Sequence, residues 1–307
     1  MSTNRGEVLV VGSHDSALAR WQAAWVVDRL KAAWPGLACR IEYFTSSGDH
    51  HTDQSLTETG RRGILVDDLA HALKSHKIDL AVHSLKDLSV DDDTDGLTIG
   101  AICERADARD ALVAAAPCTL ETLPAMARIG VSSLRRLAQL RAIRPDLTLL
   151  PIYGNIDARV RKTMDGEYDA TLLASAGLMR LGLEQHIVEM LSLDVMLPAP
   201  GQGALAIQCR ADDSAARDHL LAIDHIPTRR IVGAERAFLK ALGSGCSIPV
   251  GAYGRINPQG ELKLCGLVIA RDGQQAIRVF NKGDNPQELG AALAREALKM
   301  GAGALLT

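Results

Sequence analysis

Short apolar runs alternate with stretches of helical periodicity from Val8 to Cys209, and this alternation restricts the fold more than any other feature. Val8 to Gly12 is apolar. Leu18, Trp21, Trp25 and Leu30 then recur at helical spacing behind a Ser16 cap, and Pro35-Gly36 ends the helix. Arg40 to Thr45, Asp79 to His83 and Leu97 to Ile102 read as strands, with a helix over 64–76. The rhythm then starts again, with strands at 129–131, 147–152 and 170–174 and helices over 133–144 and 157–165. Strands joined through helices form parallel sheets. Ala204 to Cys209 is an extra strand, expected to return to the first sheet. The chain would then cross twice between two similar α/β domains, leaving a cleft between them. Pro198 to Gly203 is a turn-rich hinge candidate.

Past Ile226 the pattern changes. A helix over 229–242 precedes strands at 250–256, 262–270 and 275–281. Asn285 and Pro286 then open a last helix with the apolar stripe Leu289, Leu293, Ala297 and Met300. Strands followed by a helix make a small α+β domain. The expected fold class is α/β, two such domains around a cleft plus this C-terminal piece.

At 307 residues and 47% hydrophobic, the chain is large enough for two or three domains with real cores. Only 3% is aromatic, so aliphatic residues and alanine must fill those cores. A net charge of −3 argues against a general nucleic-acid binder and gives no sign of a membrane-surface protein. The N-terminus lacks the apolar core of a signal peptide, and no run approaches the ~20 apolar residues of a membrane span. A cytoplasmic protein is expected. The six cysteines (39, 103, 118, 209, 246 and 265) form no CxxC pair, so free thiols are expected and no metal site.

Two stretches carry most of the chemistry: His83-Ser84-Leu85-Lys86-Asp87 and Gly130-Val131-Ser132-Ser133-Leu134-Arg135-Arg136. Each follows a buried strand, where open α/β sheets bind ligands. A helix start at Ser133 offers free N–H groups, and the arginine fork suits carboxylates and phosphates. Arg159, Arg161 and Lys162 follow Gly154-Asn155 as a second basic cluster. The plainer reading is a capped helix with solvated arginines. Lys86-Asp87 reads equally as a surface pair, though a carboxylate near cations stays ionised and can handle a proton. His83 is read as a core histidine. Cys246 sits in the glycine-rich turn Gly243-Ser244-Gly245, either as a small hydrophobe or as an exposed nucleophile. The polar segment 46–62 looks like a long loop and a candidate lid. Gly201-Gln202-Gly203 lacks the third glycine and the setting of a dinucleotide fingerprint.

Taken in order, Ala81 to Asp87, Ser132 to Arg136, Gly166 to Ala170, Ala176 to Gly182, Gly201 to Ala204 and Gly245 to Val250 resemble the porphobilinogen deaminase (hydroxymethylbilane synthase) family. The resemblance covers nearly the whole chain. It implies two domains like periplasmic binding proteins, 1–103 plus 203–221 and 108–198, and a third over 226–307. It implies a dipyrromethane cofactor joined by a thioether to Cys246, and no metal. It implies a transferase of porphyrin, tetrapyrrole and heme biosynthesis that deaminates porphobilinogen, adds four units stepwise and releases a linear tetrapyrrole with water. A cytoplasmic monomer is expected, with no nucleic-acid or membrane partner.

In this reading Asp87 and Lys86 are catalytic. Asp87 assists loss of ammonia, stabilises the cationic azafulvene and binds pyrrole N–H groups. Cys246, Asp87, Lys86, Ser84, Ser133, Arg135 and Arg136 hold the cofactor. Ser16, Arg62, Arg159 and Arg180, with His14 and Tyr153, face the substrate.

The chain also departs from the family pattern. Family members carry Thr-Arg where this chain has Ser13-His14, Arg where it has Tyr153, Lys where it has Glu58 and Phe where it has Leu65. Hydrogen bonds to charged groups contribute roughly 1.5–3 kcal/mol each, so these losses weigh on polycarboxylate binding unless His14, Arg161 or Lys162 compensates. Two alternatives stay open: a divergent enzyme with altered chain length or substrate, and a non-catalytic protein that binds a small anion.

Overall fold

The structure, a computed structural model, describes residues 8–45, 58–90, 95–243 and 248–306, with the backbone alone over 58–65. Contacts divide the chain into two compact units, Met1–Arg105 with Ala204–Arg229, and Ala106–Gly203 with Arg230–Thr307.

The first unit is built from β1 (Leu9–His14), α1 (Ala17–Ala33), β2 (Cys39–Phe44), α2 (Glu58–Lys74), β3 (Leu80–Ser84) and β4 (Leu97–Ile102). The second begins with β5 (Asp110–Ala114). It continues with β6 (Arg128–Gly130), α3 (Leu134–Ile143), β7 (Thr148–Leu150), α4 (Ile156–Met164), β8 (Ala170–Ala174), α5 (Ser175–Arg180) and β9 (Ile187–Met190). The chain then supplies β10 (Leu205–Arg210) and α6 (Ser214–Leu221) to the first unit. After α7 (Ile226–Ala241) come β11 (Val250–Ile256), β12 (Leu262–Ile269), β13 (Ala276–Gly283) and α8 (Pro286–Lys299).

Each large sheet has the same topology. The orders are β2-β1-β3-β10-β4 and β7-β6-β8-β5-β9. In each, three parallel strands are followed by one antiparallel strand, β10 or β5, and an outer strand paired to it. The antiparallel strand is the one added out of sequence: β10 comes last to its sheet, and β5 comes first to the other. As expected, the strand near 204–209 returns to the first sheet, with Ala206 opposite His83.

The helices bury aliphatic faces against these sheets. Val11, Val26, Val27, Leu30, Val82 and Ile207 share one core. Leu112, Ile129, Leu140, Leu172 and Met196 share another. The face of α1 differs from the expected stripe. Ala23, Val26, Val27 and Leu30 are buried, while Trp21 is 38% exposed and stacks on Trp25. Small residues pack closest to the sheet and the bulky indoles sit at its margin. Met300 likewise falls at the exposed C-cap of α8, outside the buried Leu289, Leu293 and Ala297. The expected loop over 46–63 is shortened, because α2 already begins at Glu58; residues 46–57 lie outside the described residues. Strands β5 and β9 and helix α6 were not expected. β5 is short and alanine-rich, β9 has four residues, and α6 has eight, capped by Asp213.

The small sheet β11-β12-β13 is antiparallel throughout. Asn285 caps α8 by accepting from the Gln287 and Glu288 N–H groups at 3.0 and 3.2 Å.

The segment 198–203 is a turn stitched into the second unit. Gly201 N–H donates to Glu235 Oε2 at 2.7 Å, and Ala106 N–H donates to Gly203 O at 3.2 Å. Gly203 has φ +89°, and a Cβ there would lie 2.6 Å from Ala106 O, a backbone atom. Both facts require glycine. Gly203→Ala is expected to lower stability by about 1–3 kcal/mol, seen as a lower midpoint in chemical denaturation with unchanged slope.

Candidate active site

In the first unit, β1 ends at the half-buried His14 and turns through Ser16, whose Oγ accepts the Ala19 N–H at 3.2 Å and caps α1. β3 ends at Ser84, whose Oγ accepts from Gln22 Nε2 at 3.0 Å. A single tight turn, Leu85–Asp87, follows. Leu85 is fully buried, and its N–H donates to Ala204 O at 3.0 Å. This apolar peg fixes the turn and leaves Lys86 and Asp87 half-buried at the strand end. His83 is buried. Desolvation chiefly, and then the His14 ring, lower its pKa to about 3, so it is neutral, consistent with a core residue.

In the second unit, β6 leads to Ser133, which occupies the N-cap of α3 but makes no side-chain capping bond. Ser132 ties the neighbouring strand exit instead: Ile152 N–H donates to its Oγ at 3.1 Å, and its hydroxyl donates to Ile152 O. β7 leads through Tyr153 and Gly154 into α4. Tyr153 is 47% exposed. Arg159 is buried and donates from Nε to Gly154 O at 2.7 Å. Arg161 pairs with Asp157 at 3.4 Å on the surface, and Lys162 Nζ donates to Tyr153 O at 3.4 Å. β8 leads into α5, whose last residue, Arg180, donates to Gly203 O at 2.8 Å. Arg62 and Glu58 fall on the α2 backbone, and their side chains lie outside the described residues, as does Cys246.

Arg135 and Arg136 are placed differently from the sequence expectation. Both are buried on Asp110 of β5, each with an N–O distance of 2.7 Å. Arg135 also donates to Leu197 O at 2.7 Å and Arg136 to Leu172 O at 3.0 Å. Gln202 Nε2 adds a 2.9 Å bond to the same carboxylate. Burial alone would raise the Asp110 pKa, but the two guanidiniums override it and hold the carboxyl well below the usual range. Burial lowers the Arg135 pKa, and Asp110 offsets this only in part. Two cations on one anion leave a net charge of +1. Arg135 Nε, meanwhile, is buried without a hydrogen-bond partner. The cluster thus retains the charge and an unused donor for one further anionic group. Sequence reasoning missed Asp110 because nothing local distinguishes it.

Apart from Asp110, which opens the antiparallel β5, and Gln202, the described site residues lie at or just past the carboxyl end of a parallel strand or in the helix that strand enters. These are the ligand-binding ends of open α/β sheets. Carboxylate and basic side chains at such strand ends suit an enzyme that acts on anionic substrates.

The chain belongs to the porphobilinogen deaminase family. Residues 9–218 match the family pattern described as "Porphobilinogen deaminase, dipyromethane cofactor binding domain" and residues 230–299 match its C-terminal domain. A porphobilinogen deaminase of Carboxydothermus hydrogenoformans is 44% identical over 97% of this chain and 96% of its own length. One of a Roseiflexus species is 45% identical over 98% and 99%. Among solved structures, the periplasmic VFT2 domain of Bordetella pertussis BvgS aligns with 70% of this chain and 86% of that one, at 14% identity and a TM-score of 0.43.

The family function is hydroxymethylbilane synthesis, a transferase reaction of porphyrin and heme biosynthesis on a dipyrromethane cofactor. Arg135 Nε and the Ser133 hydroxyl fit one carboxylate of such a cofactor. Among the described residues no helix is long and apolar enough to cross a membrane, and no cluster of three or more His, Cys, Asp or Glu is placed to hold a metal.

Removing the Asp110 charge should leave two buried guanidiniums uncompensated. Asp110→Asn is expected to cost about 3–5 kcal/mol, measured by denaturant unfolding. Because the folded pKa lies below the ordinary value of about 3.9, the contribution is complete above that pH and lost as pH falls through the folded value.

Proposed function

We propose that the chain joins four porphobilinogen units head to tail on a dipyrromethane held through a thioether to Cys246, and releases the linear tetrapyrrole by hydrolysis. The observation that carries this reading is the gathering of the described candidate residues at parallel-strand ends of two sheets with one topology. The reading divides the chain into 1–103 plus 203–221, 108–198 and 226–307. It makes the protein a cytoplasmic monomer.

When bound, the dipyrromethane supplies the pyrrole carbon to which the first substrate unit is joined. Asp87 accepts pyrrole N–H bonds and stabilises the cation left when the substrate loses ammonia. It does so best from a half-buried position, where the local dielectric is lower than in water. Lys86 meets a carboxylate of the growing chain. Arg135, with net charge +1 shared over its cluster, holds one cofactor carboxylate alongside Ser133, while Arg136 positions Asp110 and α3. Ser84 supports the Asp87 turn. Ser16, Arg62, Arg159 and Arg180 serve the incoming substrate, with His14 and Tyr153 beside them.

Intact-mass spectrometry of the purified protein should show an adduct of two pyrrole units that is absent from Cys246→Ser, and Cys246→Ser should not turn over porphobilinogen. Full activity without the adduct would exclude the mechanism. Asp87→Ala should keep the fold and lose about 10²–10⁴-fold in kcat, the usual value of a positioned acid–base group.

One observation favours a narrower variant of this reading. Tyr153 is 47% exposed and offers a hydroxyl where family members carry a guanidinium. If that lost charge limits binding of the longer chains, Tyr153→Arg should lower KM several-fold at unchanged kcat. Product analysis of the wild type would then show released two- or three-ring intermediates.

A further inference from the structure

The C-terminal sheet has two unlike faces. Side chains alternate along each strand, and the register sets them in rows. On one face Gly266 of β12 meets the Phe238 ring of α7, so closely that a Cβ would lie 2.5 Å away. Helices therefore cover that side. The opposite face carries the row Tyr253–Cys265–Phe280 and, one step outward, the row Arg255–Lys263–Lys282. One step inward, Leu267 packs with Ala138 and Leu197, and Arg278 Nη2 donates to Asp194 O at 3.1 Å. The segment around 193–197 thus walls one end of the face. In front of the two outer rows lies a cavity of about 680 Å³ lined by these residues. That is a usual size for a small-molecule site.

The chemistry of the cavity is out of keeping with the rest of the chain. The whole protein carries a net charge of −3, yet the cavity gathers Arg255, Lys263, Arg278 and Lys282 against Asp194. Glu261 pairs with Lys282 at 2.7 Å, which still leaves a positive balance. Phe280 is 63% exposed in a chain with 3% aromatic residues. Strands lie about 4.8 Å apart, so Tyr253 and Phe280, two strands apart, flank a floor one flat ring wide. Cys265 is that floor. Burial pushes its thiol up to about 11, so it is a neutral surface rather than a nucleophile, and occupancy is non-covalent.

We infer that this face binds a planar aromatic polyanion, its ring over Cys265 between Tyr253 and Phe280 and its acid groups on Arg255 and Lys263. None of these residues belongs to the proposed catalytic set. Two sources share this chemistry: pyrrole polycarboxylates related to the family's product, and nucleotides.

Isothermal titration of the whole protein with pyrrole-2,5-dicarboxylate and, separately, with ATP distinguishes them. One probe should show a saturable event in both the wild type and Cys246→Ser, so the result does not depend on the cofactor or on turnover. Arg255→Glu and Lys263→Glu should each weaken that event at least about tenfold, the value of one lost hydrogen bond between charged groups. Phe280→Ala should weaken it with all charges retained, and turnover of porphobilinogen should be unchanged in all three variants. Circular dichroism and denaturant midpoints confirm that the variants fold. Failure of both probes to bind, or binding unaffected by the charge reversals, overturns the inference.

Discussion

A single buried carboxylate organises the second unit. Asp110 stands at the start of β5, fully buried, and two arginines from the first turn of α3 converge on it with a glutamine from the turn at 198–203. Burying these charges is costly, and only a complete set of partners makes the arrangement tolerable. The arginines also reach Leu172 O on β8 and Leu197 O. One interaction thus sets the start of α3 against β5, β8 and the segment that leads out to β10. Since the start of α3 carries the donors proposed to hold the cofactor, the position of that proposed site follows from this cluster.

The same cluster changes what the arginines are able to do. A pair of free guanidiniums would attract two carboxylates. A pair sharing Asp110 keeps one net charge and, in Arg135 Nε, a buried donor without a partner. That is a narrower and more directional site, matched to one carboxylate held in a defined place. Arg159 and Arg180 are constrained in a different way. Each donates to a backbone carbonyl, of Gly154 and Gly203, which orients the guanidinium.

The repeated topology explains why residues distant in the chain have equivalent settings. β1 with Ser16 corresponds to β6 with Ser133, and β3 with Lys86-Asp87 corresponds to β8 with Arg180. Parallel strands present all their carboxyl ends on one edge, so three loops per sheet converge by construction. The out-of-sequence strands β5 and β10 lie beside β8 and β3 and run against them. They join each sheet's outer strand, β9 or β4, to its parallel part while carrying the chain between the units.

Much of this was readable in order along the chain. The alternation of apolar runs and helical periods marked eleven of the thirteen strands among the described residues, and the caps at Ser16 and Asn285 marked helix starts, because these signals are local. The motifs also pointed to an acid and several basic residues at strand ends, while Cys246 lies outside the described residues. The sequence could not announce Asp110, whose partners lie 25 and 26 residues away. Nor could it show that β5 and β9 are strands, since short segments rich in alanine or mixed in polarity take their form from neighbours. It could not foretell that a positive, aromatic face would be left open on the C-terminal sheet, because that depends on register across three strands. By itself the sequence determined the α/β class, the family and the chemical types at the strand ends. The tertiary structure alone decided that Arg135 and Arg136 share one buried carboxylate, because burial and long-range pairing set the charge a ligand meets.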